Sequence, residues 1–148
     1  MHSETATLFR KLVPRDWHGP DKQPLCTGFD IVQISRISAS VDCFGKAFTH
    51  RLYTLRELTQ VTHAHALNLG SLAARFAAKE AVIKALALSE AGISWRDIEV
   101  VKLPDGHCEL QLHGRVAARA HQAGCRQWQL SLSHEGDYAG AVVMALRS

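Results

Sequence analysis

Arg75-Phe76-Ala77-Ala78-Lys79-Glu80-Ala81-Val82-Ile83-Lys84-Ala85 is a run of alanine and large apolar residues broken by four charges. Alanine is the strongest helix former, and no glycine or proline interrupts the run. Extended outward, the pattern predicts one helix over Ser71–Glu90, with Leu72, Phe76, Val82, Ile83 and Leu86 on a broad apolar face. Gly92 ends it and Ser94 opens a short turn. A helix this apolar is mostly buried, so Arg75, Lys79, Glu80 and Lys84 each need a reason to be there. Glu80 and Lys84 stand four apart and share a face, as do Arg75 and Lys79. On a solvated helix such a pair would contribute only about 0.2–0.5 kcal/mol.

Upstream, Leu25–Ile34 reads as a short strand containing Gly28-Phe29-Asp30-Ile31-Val32. A carboxylate in so apolar a strand is costly unless paired or coordinated. A strand acid, Asp30, and a helix acid, Glu80, can converge on one cation. Magnesium typically takes one or two carboxylates and completes its shell with phosphate oxygens and water. The basic side chains nearby would then serve anionic oxygens. Residues 41–50 and 54–65 read as two short helices, the second opened by a Thr54/Glu57 capping box. His63 and His65 fall on different faces of such a helix, which favours surface polarity over a metal pair. Downstream come strands at Ile98–Leu103 and Glu109–Leu112 around a Pro104-Asp105-Gly106 turn, and a helix over Gly114–Gly124. Strands at Trp128–Ser133 and Tyr138–Leu146 close the chain around Glu135-Gly136-Asp137. The expected fold class is α+β, a single domain with helices packed on an antiparallel sheet.

At 148 residues, 47% hydrophobic and 21% charged, the chain has the make-up of one globular domain. Residues 1–24, rich in proline and charge, read as an extension or linker ahead of a domain at 25–148. No apolar run approaches the ~20 residues that span a bilayer, and no secretory leader pattern opens the chain. Cys26, Cys43, Cys108 and Cys125 are widely spaced and read as separate buried thiols of a reducing compartment, hence a cytoplasmic protein. The net charge of +3 is too modest to imply nucleic acid, and no nucleic-acid motif occurs. Its distribution is uneven: Arg36, Lys46, Arg51 and Arg56 face only Asp42 between 36 and 56. That segment is either a solvated face or a docking surface for an acidic partner.

Ser131-Leu132-Ser133-His134-Glu135 sets a serine and a histidine at a strand end, where both could meet phosphate. A nucleophilic Ser–His pair is the rival reading, but no nucleophile-elbow pattern accompanies it. Taken together, Gly28–Val32, Arg36-Ile37, Phe48–Arg51, Thr54, Glu57-Leu58, Arg75–Ala85, Trp95–Val100 and Ser131–Glu135 closely resemble the holo-acyl-carrier-protein synthase family over residues 26–146. The resemblance implies the 4′-phosphopantetheinyl transferase fold and a homotrimer with active sites between subunits. It implies transfer of 4′-phosphopantetheine from coenzyme A to a serine of an acidic acyl carrier protein. By the same likeness, Asp30 and Glu80 hold Mg²⁺, while Glu80 and Lys84 act in catalysis. Arg75, Lys79, Lys84, Ser133 and His134 are the candidates for holding coenzyme A, and Arg36 and Arg51 for docking the carrier. Two departures stand out: Ala87-Leu88-Ser89 replaces a usual Gly-Thr-Gly, and Gln33 a common glutamate. They leave a non-catalytic binding module of the same fold as the alternative.

Overall fold

The computed structural model describes residues 24–90 and 92–148, so the extension expected at 1–24 lies, apart from Pro24, outside the described residues. Strand β1 (Leu25–Gln33) leads directly into helix α1 (Ile34–Phe44), followed by α2 (Lys46–Leu52) and α3 (Leu55–Val61). A small hairpin, β2 (Thr62–His63) and β3 (Ala66–Leu67), precedes the long helix α4 (Leu69–Ala85). Then come β4 (Ile98–Lys102), β5 (Cys108–Leu112), α5 (Gly114–Gln122), β6 (Cys125–Glu135) and β7 (Tyr138–Arg147). The main sheet is antiparallel in the order β1-β7-β6, and β4–β5 form a separate hairpin.

Alternation along β1 and β7 sorts the residues between two faces. Cys26, Gly28, Ala139, Ala141, Val143 and Ala145 point inward and are buried. Leu25, Phe29, Ile31, Val142, Met144 and Leu146 point outward and are exposed. Small side chains line both sides of the contact between α4 and the sheet: Ala77, Ala78 and Ala81 meet the inward alanines of β7. The approach is closest at Gly28, where an added Cβ would stand 1.8 Å from the Ala81 carbonyl oxygen. Glycine is required there by backbone contact, and this contact fixes where Asp30, two residues on, meets the helix.

Several boundaries differ from the sequence reading. Helix α1 begins at Ile34 because Asp137, in the β6–β7 turn, caps it. Its carbonyl accepts from the Ile34 amide at 2.8 Å, and its carboxylate accepts from the Ser35 amide at 2.9 Å and hydroxyl at 2.6 Å. Gly45, at φ 51°, separates α1 from α2. The Thr54/Glu57 capping box forms as expected, but α3 stops at Val61. His63 and His65 therefore sit at a hairpin, with Ala64 and His65 both at positive φ (49° and 65°). The long helix stops at Ala85, five residues short of the expected Glu90, with Ala87 at φ 50° and the Leu88 amide donating back to the Ile83 carbonyl at 2.9 Å. This is a glycine-type helix end carried by alanine, at a cost of about 1–2 kcal/mol.

The cysteine reading is corrected as well. Cys26 and Cys125 are joined in a disulfide across 99 residues of sequence, leaving Cys43 and Cys108 free. β1 and β6 flank β7, with Cys26 beside Ala145 and Cys125 beside Arg147, so the sheet brings the two sulfurs together. This pairing removes the thiols as evidence for a reducing compartment. No described helix is long and apolar enough to cross a membrane.

Candidate active site

At the C-terminal half of α4, Asp30 from β1 comes beside Glu80 and Lys84. The Lys84 ammonium donates to Asp30 Oδ1 at 2.6 Å and to the Phe29 carbonyl at 3.1 Å. The Lys84 side chain is 55% exposed, against 16% for Asp30, so the ion pair lies at the mouth of a surface site. Burial pushes the Glu80 carboxyl up to about 7; the nearby Glu90 and Asp30 charges and a hydrogen bond with Glu90 push the same way. Acidic neighbours that raise the pKa of Glu80 are an arrangement a cation relieves. The described residues contain no set of three or more His, Cys, Asp or Glu able to hold a metal. Asp30 and Glu80 thus supply two carboxylates, a donor set that suits Mg²⁺ when phosphate oxygens and water complete the shell. The sequence pattern places Glu90 as the last residue of the helix and gives it no role; the helix stops at Ala85, so helical periodicity does not say what Glu90 faces.

Lys79 does not belong to this site. Its side chain is fully buried, and its ammonium donates to Glu57 Oε2 at 2.9 Å, to the Trp95 carbonyl at 3.3 Å and to the Ile98 carbonyl. Those three acceptors use all three of its donors. The Tyr53 ring lies 5.4 Å away, and the other Glu57 oxygen accepts from the Val100 amide at 3.1 Å. Burial lowers the Lys79 pKa, and the Glu57 charge and hydrogen bond oppose it. The expectation that Lys79 holds coenzyme A is therefore corrected: it is an internal ion pair tying α3 and α4 to β4.

Arg75 has two roles in space. Its Nη2 donates to Gln60 Oε1 at 2.9 Å and its Nε to the Val100 carbonyl at 3.4 Å, which anchors the guanidinium. Burial lowers its pKa, while Cys108, Glu57 and Tyr53 raise it. It also lines a cavity of about 340 Å³ with Ser71, Lys102, His107 and His134. The His134 ring packs against Gly70 at the start of α4, close enough that an added Cβ there would lie 3.0 Å from Nδ1. Ser133 pairs with Gly140 and His134 with Ala139, so the two side chains leave opposite faces of the sheet. Ser133 does not line this cavity, whereas Ser131, on the same face of β6, does. Lys102 and His107 join the cavity because the β4–β5 turn folds over it. The only sequence signal was a basic residue on either side of Pro104-Asp105-Gly106.

Arg75 and Lys84 are nine positions apart (84 − 75) on one helix. At 1.5 Å and 100° per residue that is about 13 Å along the axis and half a turn around it. The acid–lysine cluster and the cationic cavity consequently face opposite ways from α4. Arg36 on α1 and Arg51 on α2 are both exposed, and no ion pair engages either among the described residues.

Paired acids beside a lysine, together with a cavity lined by Arg75 and Lys102 on an α+β frame, suit a protein that handles a phosphorylated ligand. A family model described as the 4′-phosphopantetheinyl transferase superfamily matches residues 26–143. The chain is 46% identical to a holo-[acyl-carrier-protein] synthase of Dehalococcoides mccartyi, over 82% of this chain and 98% of that protein. It is 42% identical to the synthase of Salinispora arenicola, over 83% and 98%. The Helicobacter pylori synthase solved in complex with coenzyme A superposes with a TM-score of 0.71 at 29% identity, covering 80% of this chain and 98% of that one. The chain belongs to the holo-[acyl-carrier-protein] synthase family.

Proposed function

We propose that the protein transfers 4′-phosphopantetheine from coenzyme A to a serine of an apo acyl carrier protein, at a Mg²⁺-dependent site split between copies of the chain. The observation that carries the reading is the convergence of Asp30, Glu80 and Lys84 at one end of the buried helix. The carrier hydroxyl attacks the β-phosphorus, and adenosine 3′,5′-bisphosphate leaves. Such a transfer needs in-line positioning and charge stabilisation more than covalent help. Asp30 and Glu80 would hold Mg²⁺, which neutralises charge on the diphosphate when bound. Glu80 is also the candidate acceptor for the serine proton. Mass spectrometry of an apo carrier incubated with coenzyme A and Mg²⁺ tests the reading: the carrier gains the phosphopantetheine mass, and an unmodified carrier overturns it. A domain spanning 25–148 and a cytoplasmic setting belong to the same reading.

Lys84 stands with its ammonium at the rim, ready to meet the oxygens of the transferring phosphorus. Lys84→Ala is expected to lower kcat about tenfold or more and to raise the coenzyme A KM much less, because the charge matters most as the leaving group departs. A rise in KM with kcat intact would assign Lys84 to ground-state binding instead.

Two features support an oligomer, taken here as a homotrimer. The outward face of β1 and β7 is a continuous apolar surface, with Phe29 beside Val142 and Leu25 beside Leu146 in register. In addition, the Arg75–His134 cavity and the Asp30–Glu80 cluster point away from each other, so one coenzyme A molecule reaches both only if they come from neighbouring copies. Mixing Arg75→Ala with Glu80→Gln, each inactive alone, is expected to restore part of the activity once subunits exchange. Failure to complement, with a one-chain mass by light scattering in active protein, would reject the split site.

Arg36 and Arg51, both exposed, would steer the acidic carrier from outside the chemical centre. Arg36→Glu and Arg51→Glu are expected to raise the carrier KM about tenfold, flatten its salt dependence and leave coenzyme A binding unchanged. Unaltered carrier kinetics at low salt in both variants would show a merely solvated face.

A further inference from the structure

The Cys26–Cys125 bond joins two strands that do not pair with each other. β1 and β6 lie on either side of β7, with Cys26 level with Ala145 and Cys125 level with Arg147. Two strand spacings alone would hold such residues at least about 9 Å apart. Their Cα atoms are 6.4 Å apart, within the range a disulfide spans. The approach is made by β6, whose pairing with β7 shifts register between Arg126 and Gln129 and whose Gln127 stands at φ 53°. A bulge of this kind bends its strand, and the bend brings Cys125 toward β1. The inward residue of β7 beside Cys26 is Ala145, whose methyl group leaves room for the sulfurs to meet.

Both cysteines are buried, yet their surroundings differ. Cys125 lines a surface groove of about 330 Å³ between α5, β5 and the start of β6, and Cys26 does not. Leu112, Ala120 and Trp128 make the groove apolar, while His121 and Arg126 line it and are exposed to solvent. Thiol–disulfide exchange depends on which sulfur an incoming thiolate can reach. The groove offers a route to the Cys125 end of the bond. A small thiol that carries carboxylates suits its walls, with the carboxylates toward Arg126 and the carbon chain on the apolar residues.

We propose that Cys26 and Cys125 are a reversible thiol–disulfide pair, exchanged through this groove with an anionic low-molecular-weight thiol of the glutathione class. The incoming thiolate attacks Sγ of Cys125 and the Cys26–Cys125 bond breaks. Cys26 leaves as a thiolate and takes up the proton the small thiol gave up, and a mixed disulfide stands on Cys125. A second small thiol attacks the sulfur of the bound one, freeing Cys125 as a thiol and releasing the small molecule as its disulfide. Two electrons thus pass from two small thiols to the protein, and the small disulfide drives the same steps in reverse. Opening the bond removes a crosslink over 99 residues of sequence, which releases the unfolded chain and lowers stability. β1 carries Asp30 and β6 carries His134, so the redox state governs how firmly the strands bearing both residues are tied.

The test holds the full chain, without denaturant, in glutathione buffers poised from oxidising to reducing, then alkylates free thiols and weighs each cysteine peptide by mass spectrometry. The bond is expected to open and re-form reversibly as a two-electron couple, and the reduced protein to unfold at a lower denaturant midpoint. In Cys26→Ser, oxidised glutathione is expected to leave a mixed disulfide on Cys125; in Cys125→Ser, Cys26 is expected to stay unmodified. Arg126→Glu is expected to slow opening by reduced glutathione about threefold or more, and to leave opening by uncharged 2-mercaptoethanol near the wild-type rate. None of these readouts depends on transfer activity. Two free thiols at the oxidising end, or a bond that glutathione reduces only once the protein unfolds, would overturn the reversible pair. Glutathione on Cys26 instead of Cys125, or an Arg126→Glu protein opened by glutathione as fast as wild type, would overturn the groove as the route of exchange.

Discussion

Asp30→Asn and Glu80→Gln are each expected to lower carrier loading about a hundredfold or more while the protein stays folded. Each substitution keeps the shape of the side chain and removes a carboxylate proposed to hold the cation at this site. Asp30 is only partly buried and Lys84, its partner, keeps the Phe29 carbonyl at 3.1 Å, so the loss of charge leaves no ammonium stranded in the core. Glu80→Gln removes the carboxyl that burial and Glu90 push up to about 7. In the absence of metal that change relieves repulsion and does not destabilise. The rate should recover partly at high Mg²⁺ if charge loss has weakened metal binding, which a titration of loading rate against Mg²⁺ reads directly. Near-normal turnover of both variants at limiting Mg²⁺ would remove the metal assignment. Circular dichroism and the unfolding midpoint separate a lost site from a lost fold.

Gly28→Ala is expected to damage the fold itself. The added Cβ would stand 1.8 Å from the Ala81 carbonyl oxygen, 2.7 Å from its carbon and 3.2 Å from the Ala85 Cβ. The first two are helix backbone atoms and cannot swing aside as a long side chain would, so β1 or α4 has to move. Ala81 is fully buried against this strand, and moving it opens the interface that holds Cys26, Val82 and Val143 together. Overpacking of a tight core costs about 1–3 kcal/mol, and clashes with backbone lie at or beyond the upper end. The midpoint of denaturant unfolding should fall accordingly, and the folded fraction should load carrier poorly because Asp30 moves with the strand. Thr27→Ala, on the exposed face of the same strand, is the matched control and is expected to change little. A Gly28→Ala protein with wild-type stability would mean that the strand and helix are not in backbone contact.

Much of the fold was legible in the chain. A short apolar run marked β1, alternating and apolar residues marked β6 and β7, the alanine-rich run marked α4, and Thr54 with Glu57 marked the start of α3. The boundaries that were missed share one cause. Helix α1 starts at Ile34 because Asp137 reaches it from 102 residues away in sequence, and no local pattern records such a cap. The long helix ends early, at Ala85, and Ala87 beyond it takes up the left-handed turn usually given to glycine, so the residue that should have announced the stop is absent. The Cys26–Cys125 bond likewise follows from strand order and not from cysteine spacing.

The sequence by itself singled out the residues proposed to carry chemistry: Asp30 in an apolar strand, and Glu80 and Lys84 four apart on one helix face. Local periodicity suffices for that, since it assigns each side chain to a face. Tertiary structure alone decided what each charge does. Arg75, Lys79, Glu80 and Lys84 look alike in the sequence, yet Lys79 spends all three donors on Glu57 and two carbonyls. Arg75 turns to a cavity with Lys102, His107 and His134, while Glu80 and Lys84 turn to Asp30. The physical reason is that burial and partners, which set whether a charge is structural or available, depend on the elements packed around the helix, and those come from distant parts of the chain.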